Sequence, residues 1–341
     1  MPGCTGPSHG MMPRARVPRL MTKERRGEAT MFMDDLARLI SEKNSRVCLG
    51  LDPTFQGQAS IPRFLLDTFE NSQPEAIYEF NARILEAVHD IVPVVKPQLA
   101  FYMACDAIET LKKTIKKAKK LGLLVILDGK FNDIGNTSDA YATGAFDILG
   151  ADAVTVNGYL GTDCVEPFLK RPGKGIFVLV KTSNKSSGDF QDLFSMPLPD
   201  VPPGNPTALV GDAALERNYV RMAKLVADWN EQFKDTGPAS HGKAGVVVGA
   251  TYPQQLREIR AMLPKTFILV PGYGAQGATA ADVAHGFIAG GSGAIINSSR
   301  ALLYAHVLSK KHACPPETFE KATRQETEQM RDEINAALAK A

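Results

Sequence analysis

Three charged residues directly follow the most apolar stretch of the chain. Asp128, Lys130 and Asp133 lie in the segment DGKFNDIGNT, which comes after five aliphatic residues at positions 123–127. An aliphatic run of this kind predicts a strand that is buried on both faces. Side chains two residues apart on a strand point to the same side, so Asp128 and Lys130 would bring an acid and a base into one small volume. Acid–base chemistry requires such a pairing.

A second lysine ends the preceding predicted strand. Lys96 follows the run VPVV and would neighbour Asp128 and Lys130 if the two strands were adjacent. Each of these charges would cost several kcal/mol to bury alone, whereas alternating lysines and aspartates compensate one another. Two interpretations stay open at this point: a catalytic cluster, or a salt-bridge network that closes one end of the fold.

Polar residues end nearly every predicted strand. They are Asp52, Lys96, Gln98, Asp128, Lys130, Asn157, Lys181, Thr182, Ser183, Thr251, Gln276, Ser298, Ser299 and Arg300. In a barrel of parallel strands these positions are the carboxyl ends, which form the face where active sites are built. One polar strand end could be an accident, but a full ring of them predicts a lined pocket.

The segment PGYGAQG at 271–277 contains three glycines with the spacing G-x-G-x-x-G. This spacing resembles a dinucleotide-binding fingerprint, but it lies in the seventh unit, and no acidic residue ends the next strand to bind a ribose diol. The loops after the seventh and eighth strands of a barrel commonly bind phosphate. Glycine N–H groups can approach a phosphate and Arg300 can fork onto it. We therefore expect a monophosphate site, with a structural turn as the alternative.

These residues need a scaffold that brings distant strand ends together. Strands are predicted at 46–52, 92–98, 123–128, 153–159, 175–183, 245–251, 266–274 and 293–300. Helices are predicted at 74–89, 101–121, 137–149, 164–170, 212–233, 253–263, 278–289 and 316–340. Short aliphatic strands that alternate with helices eight times predict an α/β fold, the (β/α)8 TIM barrel.

We expect residues 34–341 to form this barrel as a single domain with a C-terminal helix. The first thirty residues are rich in Pro, Gly and Arg and lack apolar periodicity, so we expect segment 1–33 to be a disordered extension, with a transit peptide or a true start at Met21 or Met31 as the alternatives. The segment 184–211 after the fifth strand is too long for an ordinary connection. It is interpreted as a lid that closes over a ligand, or as a disordered insertion.

The composition narrows the range of partners. The net charge is +2, with 44% hydrophobic and 22% charged residues, which is typical of a globular protein and gives no electrostatic reason for a nucleic-acid or membrane partner. The apolar runs are too short for a membrane-spanning helix. Five widely spaced cysteines without a CxxC motif argue against a disulfide framework and a zinc site. A reducing, cytoplasmic location fits this pattern.

Several motifs together resemble one enzyme family. DGKFNDIGNT is similar to the D-x-K-x-x-D-I-x-N-T motif of orotidine 5'-phosphate decarboxylase, and GLDP, KPQLAFY, KTSN and PGYGAQG followed by NSSR agree with the same family in order. These motifs cover residues 46–300. The longer connections resemble the long-form, type 2-like group of bacteria and protozoa.

The resemblance implies the decarboxylation of orotidine 5'-monophosphate to UMP without a cofactor or metal, which is the last step of de novo pyrimidine nucleotide synthesis. It implies that Lys96, Asp128, Lys130 and Asp133 form an alternating charged array in which Lys130 protonates a carbanion at C6. It also implies a homodimer, since Asp133 and Thr137 would reach the active site of the other subunit.

Further roles follow from the same resemblance. Eight residues are expected to bind the substrate: Asp52 and Thr137 at the ribose, Gln98 near it, Ser183 at the pyrimidine edge, Gln276, Ser299 and Arg300 at the phosphate, and Pro271 beside them. Two alternatives remain. A metal-dependent sugar-phosphate decarboxylase or aldolase shares the D-x-K-x-x-D pattern, although Lys96 would repel its cation. A phosphate-binding barrel without catalysis would not need the complete set of lysines and aspartates.

Overall fold

A closed barrel of parallel strands forms the centre of the molecule. The computed structural model describes residues 31–196, 215–234, 241–274 and 277–340. The strands within these ranges are β1 Val47–Leu51, β2 Val94–Pro97, β3 Leu124–Phe131, β4 Ala153–Val156, β5 Gly175–Lys181, β6 Phe194–Ser195, β7 Glu216–Arg217, β8 Ala244–Val248, β9 Ile268–Pro271 and β10 Ala294–Ser298. The barrel order is β1-β10-β9-β8-β5-β4-β3-β2, and β6 pairs with β7 outside it. The predicted (β/α)8 architecture is confirmed.

Helices surround the barrel and cover its outer face. They are α1 Phe32–Lys43, α2 Arg63–Thr68, α3 Gln73–Val88, α4 Leu99–Ala104, α5 Ile108–Lys120, α6 Gly135–Ala142, α7 Thr162–Leu169, α8 Asn218–Gln232, α9 Pro253–Met262, α10 Ala280–Ala284, α11 Arg300–Leu303, α12 Ala305–Leu308 and α13 Phe319–Leu338. The C-terminal helix packs on α3 through stacked rings of Phe80 and Phe319, whose centroids lie 4.8 Å apart. None of the helices in the described part of the chain is long and apolar enough to cross a membrane.

The eight barrel strands are buried on both sides because each contributes to two separate apolar clusters. On β3, Ile126 belongs to the cluster inside the barrel, whereas Val125 and Leu127 belong to the cluster between strands and helices. This alternation follows the two-residue period of a strand. Phe32 and Met33 of α1 join the inner cluster, and the Phe32 ring meets Phe177 edge-on. The first helix therefore closes the amino-terminal end of the barrel, and it begins two residues before the expected domain boundary.

Three predicted helices differ from those in the structure. The helix predicted at 101–121 is divided into α4 and α5, because Asp106 between them adopts a left-handed φ of 50°. The helix predicted at 278–289 is only the five residues of α10, in a segment with glycines at 286, 290 and 291 that disfavour helix. Of the helix predicted at 212–233, residues 212–214 lie outside the described residues, and the described part begins at Asn218, after the short strand β7.

Two further boundaries differ in a way that affects the chemistry. The strand predicted to end at residue 128 continues to Phe131, so Lys130 lies on the strand itself. The segment predicted as one helix at 137–149 is α6 followed by a π-helix at Thr143–Ile148. Residues 1–30 of the predicted N-terminal extension lie outside the described residues.

The predicted lid is described only in its first part. Residues Lys185–Asp189 form a 3-10 helix, and β6 follows it, while 197–211 lie outside the described residues. A buried cation anchors this first part to the barrel: Lys181 Nζ lies 2.8 and 2.9 Å from the two carboxylate oxygens of Asp192 and donates to Ser187 Oγ at 3.0 Å. The same Nζ lies 4.4 Å over the ring of Tyr252. These contacts fix the chain on both sides of Ser183.

Candidate active site

One buried carboxylate lies between two lysines at the carboxyl end of the barrel. Lys96 Nζ is 2.6 Å from Asp128 Oδ2, and Lys130 Nζ is 2.7 Å from Asp128 Oδ1. Lys96 and Asp128 are almost fully buried, whereas 47% of the Lys130 side chain is exposed. The structure thus brings the three predicted residues together, and it leaves Lys130 accessible to a molecule at the mouth of the barrel.

The electrostatic interactions within this cluster keep the buried pair, Lys96 and Asp128, charged. Burial by itself would raise the pKa of Asp128, but Lys96 and Lys130 outweigh it and hold the pKa of this carboxyl well below its usual range. Burial by itself would lower the pKa of Lys96, but Asp128 and Asp52 raise this pKa above its ordinary value. Asp128 and Lys96 therefore remain an ion pair at neutral pH.

The backbone of β3 is irregular where the cluster lies. Lys130 has a φ of 47°, which a residue with a side chain rarely adopts. Gly129 is needed before it, because a Cβ at this position would lie 2.4 Å from the Phe131 ring. Strained backbone of this kind is concentrated at functional sites, where surrounding contacts hold it in place.

A cavity of about 630 Å³ lies at the same end of the barrel, lined by residues at the carboxyl ends of β1, β9 and β10. Its lining includes four of the predicted substrate-binding residues: Asp52, Pro271, Ser299 and Arg300. The glycines of the β9 loop supply backbone that other residues would strain to adopt, since Gly272, Gly274 and Gly277 have φ values of 101°, 68° and 88°. Gln276, the remaining predicted phosphate ligand, lies outside the described residues. The structure therefore joins the β9 loop, the end of β10 and β1 in one pocket.

Close packing of β1 against the end of β10 positions the serine of this pocket. A Cβ at Gly50 would lie 1.9 Å from Ser299 Oγ and 3.3 Å from Ser299 Cα. Only glycine leaves room for Ser299 there, which gives the GLDP motif a physical reason. Arg300 follows Ser299 directly and begins α11, so the position of both residues depends on the same contact.

Asp52 and Gln98 both lie near the charged cluster, and Asp52 also lines the cavity. One carboxylate oxygen of Asp52 is buried and has no hydrogen-bond partner among the described residues. Asp52 also contributes to the raised pKa of Lys96. Gln98 lies next to Asp128 through an isolated parallel bridge, and its side chain accepts a hydrogen bond from the N–H of Ala100 at the start of α4. Asp52 thus has an acceptor oxygen available to a bound hydroxyl.

Asp133 and Thr137 lie apart from the cluster in a single chain. Asp133 Oδ1 accepts a hydrogen bond from the N–H of Ile134 at 2.8 Å, and Thr137 is exposed on α6. Within the described ranges, no hydrogen bond or ion pair joins Asp133 to Lys130. Ile134 and Tyr141 beside them expose about half of their side chains, 52% and 43%. One chain therefore presents an incomplete array and an apolar surface next to it.

Two residues near the cluster were not identified from the sequence. Thr155 on β4 donates a hydrogen bond to Asp128 Oδ1 at 2.8 Å, and Asn297 on β10 accepts one from Cys48 Sγ at 3.6 Å. The strand period offered a signal for both, since Thr155 and Asn297 are two residues beyond the inward-facing Ala153 and Ile295. Among the described residues, no group of three or more His, Cys, Asp or Glu side chains could hold a metal ion.

Comparisons with known proteins agree with this geometry. Residues 45–198 match the model of the Orotidine 5'-phosphate decarboxylase / HUMPS family. The chain is 39% identical over 309 residues to orotidine 5'-phosphate decarboxylase of Azoarcus sp. (strain BH72), which covers 89% of this chain and 98% of that protein. It is 37% identical over 320 residues to the protein of the same name from Rhodopirellula baltica, again covering 89% and 98%. The structure of Leishmania donovani OMP decarboxylase superposes with a TM-score of 0.68 at 31% identity and covers 92% of this chain and 100% of that chain.

The contact between Gly50 and Ser299 predicts a loss of stability in Gly50→Ala. Because the new methyl group would overlap Ser299, we expect the free energy of unfolding to fall by about 1–3 kcal/mol in urea denaturation. Gly144→Ala is the matched control, since a Cβ at Gly144 meets open space without an unusual φ. Equal stability of Gly50→Ala and Gly144→Ala would contradict the proposed packing.

The buried ion pair predicts a pH-dependent effect of Asp128→Asn. At neutral pH the substitution leaves Lys96 buried without its carboxylate, so we expect unfolding to become easier by about 3–5 kcal/mol. The folded pKa of Asp128 lies below its unfolded value, so its contribution is complete above pH 5 and is lost as the pH falls. Urea denaturation should therefore show a nearly constant gap between wild type and Asp128→Asn from about pH 7 to about pH 5, and a narrowing gap as the pH is lowered from about 5 to about 2.

Asp67→Asn provides the control for this experiment. Asp67 pairs with Arg63 on the surface, where both side chains are more than half exposed, so its removal should cost less than about 1 kcal/mol. A gap for Asp128→Asn that is constant over the same pH range would show that the carboxylate is not held charged by its lysines.

Proposed function

Because the chain belongs to the orotidine 5'-phosphate decarboxylase family, we propose that it converts orotidine 5'-monophosphate to UMP and CO2 as a carboxy-lyase at this site. The observation that carries the proposal is the Lys96–Asp128–Lys130 cluster at the end of the barrel that also holds a cavity lined by Asp52, Ser299 and Arg300. The reaction is the last step of de novo pyrimidine nucleotide synthesis and needs no cofactor in this scheme.

The chemical step has a simple balance. The bond between C6 of the pyrimidine and its carboxylate breaks, CO2 leaves, and the electron pair stays at C6. The ammonium of Lys130 stabilises the developing negative charge and then donates a proton to C6. The neutral Lys130 regains a proton from solvent, which its half-exposed side chain can reach.

Lys96 and Asp128 support this proton donor. The carboxylate of Asp128 keeps the Lys130 ammonium at the mouth of the barrel through the 2.7 Å contact. Lys96 holds the other oxygen of the same carboxylate at 2.6 Å, so Asp128 cannot rotate freely. A fixed donor costs no reorganisation when charge develops in the transition state.

The remaining predicted residues bind the substrate in this proposal. The phosphate lies at Ser299, Arg300 and Gln276 with Pro271 beside it, and remote binding of this group contributes to organising the site. A ribose hydroxyl donates to the unpartnered oxygen of Asp52, with Gln98 nearby. The anchored Ser183 meets the edge of the pyrimidine.

A homodimer completes the array. Asp133 and Thr137 of one chain are proposed to enter the active site of the other, because neither reaches the cluster of its own chain in the described structure. The exposed apolar side chains of Ile134 and Tyr141 on the same segment, and of Phe101 and Met103 on α4, provide a surface for the second copy. The metal-dependent alternative is disfavoured, since the ammonium of Lys96 occupies the position next to Asp128.

The domain boundaries and the cellular location are proposed from the sequence. Residues 34–341, together with Phe32 and Met33 of α1, are proposed to form the catalytic barrel, and the residues before them an extension. The cytoplasm is the proposed location.

Turnover of orotidine 5'-monophosphate tests the function directly. The purified chain with excess EDTA is expected to consume the substrate, followed by its ultraviolet absorbance, and to form UMP, identified by chromatography. Activity that disappears with EDTA and returns with Mg2+ would instead support the metal-dependent alternative. Absence of turnover under both conditions would refute both.

Lys130→Ala tests the assignment of the proton donor. We expect kcat to fall by more than about a thousand-fold, since both charge stabilisation and proton donation are lost. Lys112→Ala is the matched control, because Lys112 is exposed on the outer face of α5. Substantial remaining turnover in a folded Lys130→Ala protein would remove Lys130 from its role.

Subunit mixing tests the shared site. Lys130→Ala and Asp133→Ala proteins are each expected to be inactive, but a mixed dimer holds one site with neither substitution. Random exchange of equal amounts should restore about a quarter of the wild-type activity for a two-fold symmetric dimer. Lys130→Ala mixed with Lys96→Ala should show no recovery, because both residues serve the same chain's site. No recovery in the first mixture, with exchange demonstrated by mass spectrometry, would contradict the arrangement.

A further inference from the structure

The pairing between β3 and β4 is interrupted at the catalytic residues. Ile126 and Leu127 pair with Ala153 and Val154 in register, and the pairing resumes only at Phe131 with Val156. Between these points β3 has the three residues Asp128, Gly129 and Lys130, whereas β4 has only Thr155. The regular backbone hydrogen bonds cannot continue across such a mismatch.

The side chain of Thr155 provides the hydrogen bonds that the ladder lacks. The N–H of Lys130 donates to Thr155 Oγ1 at 2.9 Å, and the Thr155 hydroxyl donates to Asp128 Oδ1 at 2.8 Å. Thr155 is only 2% exposed, so water has little access to replace either bond. One hydroxyl thus joins the backbone of one catalytic residue to the carboxylate of another.

The bond to the Lys130 N–H acts on a strained residue. A left-handed φ is unfavourable for a residue with a Cβ, and Lys130 has a φ of 47°. A hydrogen bond from a rigid neighbouring strand can offset part of this cost. The left-handed backbone also directs the Lys130 side chain back towards Asp128, two residues earlier. Lys130 Nζ thereby lies 2.7 Å from Asp128 Oδ1.

We propose that Thr155 is a positioning residue whose hydroxyl group determines where the Lys130 ammonium lies. Thr155 does not contact the substrate in this scheme; it fixes the Lys130 backbone and the Asp128 carboxylate relative to each other. This inference rests on the proposed decarboxylase function and adds to it a residue on β4, outside the D-x-K-x-x-D motif.

Thr155→Val tests the role of the hydroxyl with little change in volume. We expect kcat to fall by about ten-fold to a hundred-fold because the proton donor is displaced, while KM changes by less than about three-fold because substrate contacts remain. Thr155→Ser keeps the hydroxyl and should retain kcat within about three-fold of wild type. If Thr155→Val does not fold, Thr155→Ala removes the same hydroxyl without branching and carries the same expectation.

Thr327→Val is the matched control for a buried hydroxyl without a catalytic connection. Thr327 is fully buried on α13 and donates to the carbonyl oxygen of Thr323 at 2.7 Å. The control should lower the melting temperature without changing kcat. A purely structural Thr155 would give the same pattern, and that result, or a Thr155→Ser protein as impaired as Thr155→Val, would overturn the proposal.

A crystal structure of Thr155→Val gives a readout that does not depend on turnover. We expect the backbone of Lys130 to leave the left-handed region or its Nζ to move away from Asp128 Oδ1. An unchanged φ and an unchanged 2.7 Å contact would refute positioning by Thr155. Wild-type turnover is a separate measurement, so failure of the decarboxylase proposal and failure of the Thr155 proposal can be told apart.

Discussion

The site depends on one buried carboxylate that two ammonium groups keep charged. Asp128 is almost inaccessible to water, and a carboxylate in this position would be protonated without compensation. Lys96 compensates it from within the barrel and Lys130 from the mouth, each through a different oxygen. The arrangement separates two tasks, since the buried lysine maintains the charge of Asp128 and the half-exposed lysine remains available for chemistry.

The barrel supplies this arrangement only because glycines and polar side chains interrupt its regular pattern. Gly129 makes room for the Phe131 ring, and Gly50 makes room for Ser299. Lys181 anchors the segment after β5, because its ammonium contacts Asp192 and Ser187 of that segment. Each irregularity lies at the carboxyl end of a strand, whereas the amino-terminal end is closed by apolar packing of α1. A regular amino-terminal end and an irregular carboxyl end are consistent with the division of a barrel into a face for stability and a face for catalysis.

The sequence predicted the composition of the charged cluster from the spacing of its residues and the order of the strands. The contacts of Asp128 with Lys96 and Lys130 are present, but the left-handed backbone of Lys130, and not a regular strand period, brings its ammonium to Asp128. The sequence did not predict the left-handed backbone of Lys130, since lysine has no preference for it and only the mismatch with β4 reveals it. Thr155 was missed for a related reason: the strand period places it on the inward face with Ala153, but threonine is common in strands, and this period does not distinguish a hydrogen-bonding threonine from a packing one.

The same cluster also gives a physical argument for two chains. Lys130 shares the single carboxylate of Asp128 with Lys96, so one chain sets two ammonium groups against one close carboxylate. Asp133, only three residues further along, forms no ion pair with Lys130 within the described residues and accepts the N–H of Ile134. A second copy that offered its own Asp133 would supply the missing negative charge and bury the exposed Ile134 and Tyr141 in the same step. Apolar burial would then drive association, while the charge balance determined its geometry. Lys130 would lie between Asp128 of its own chain and Asp133 of the second copy.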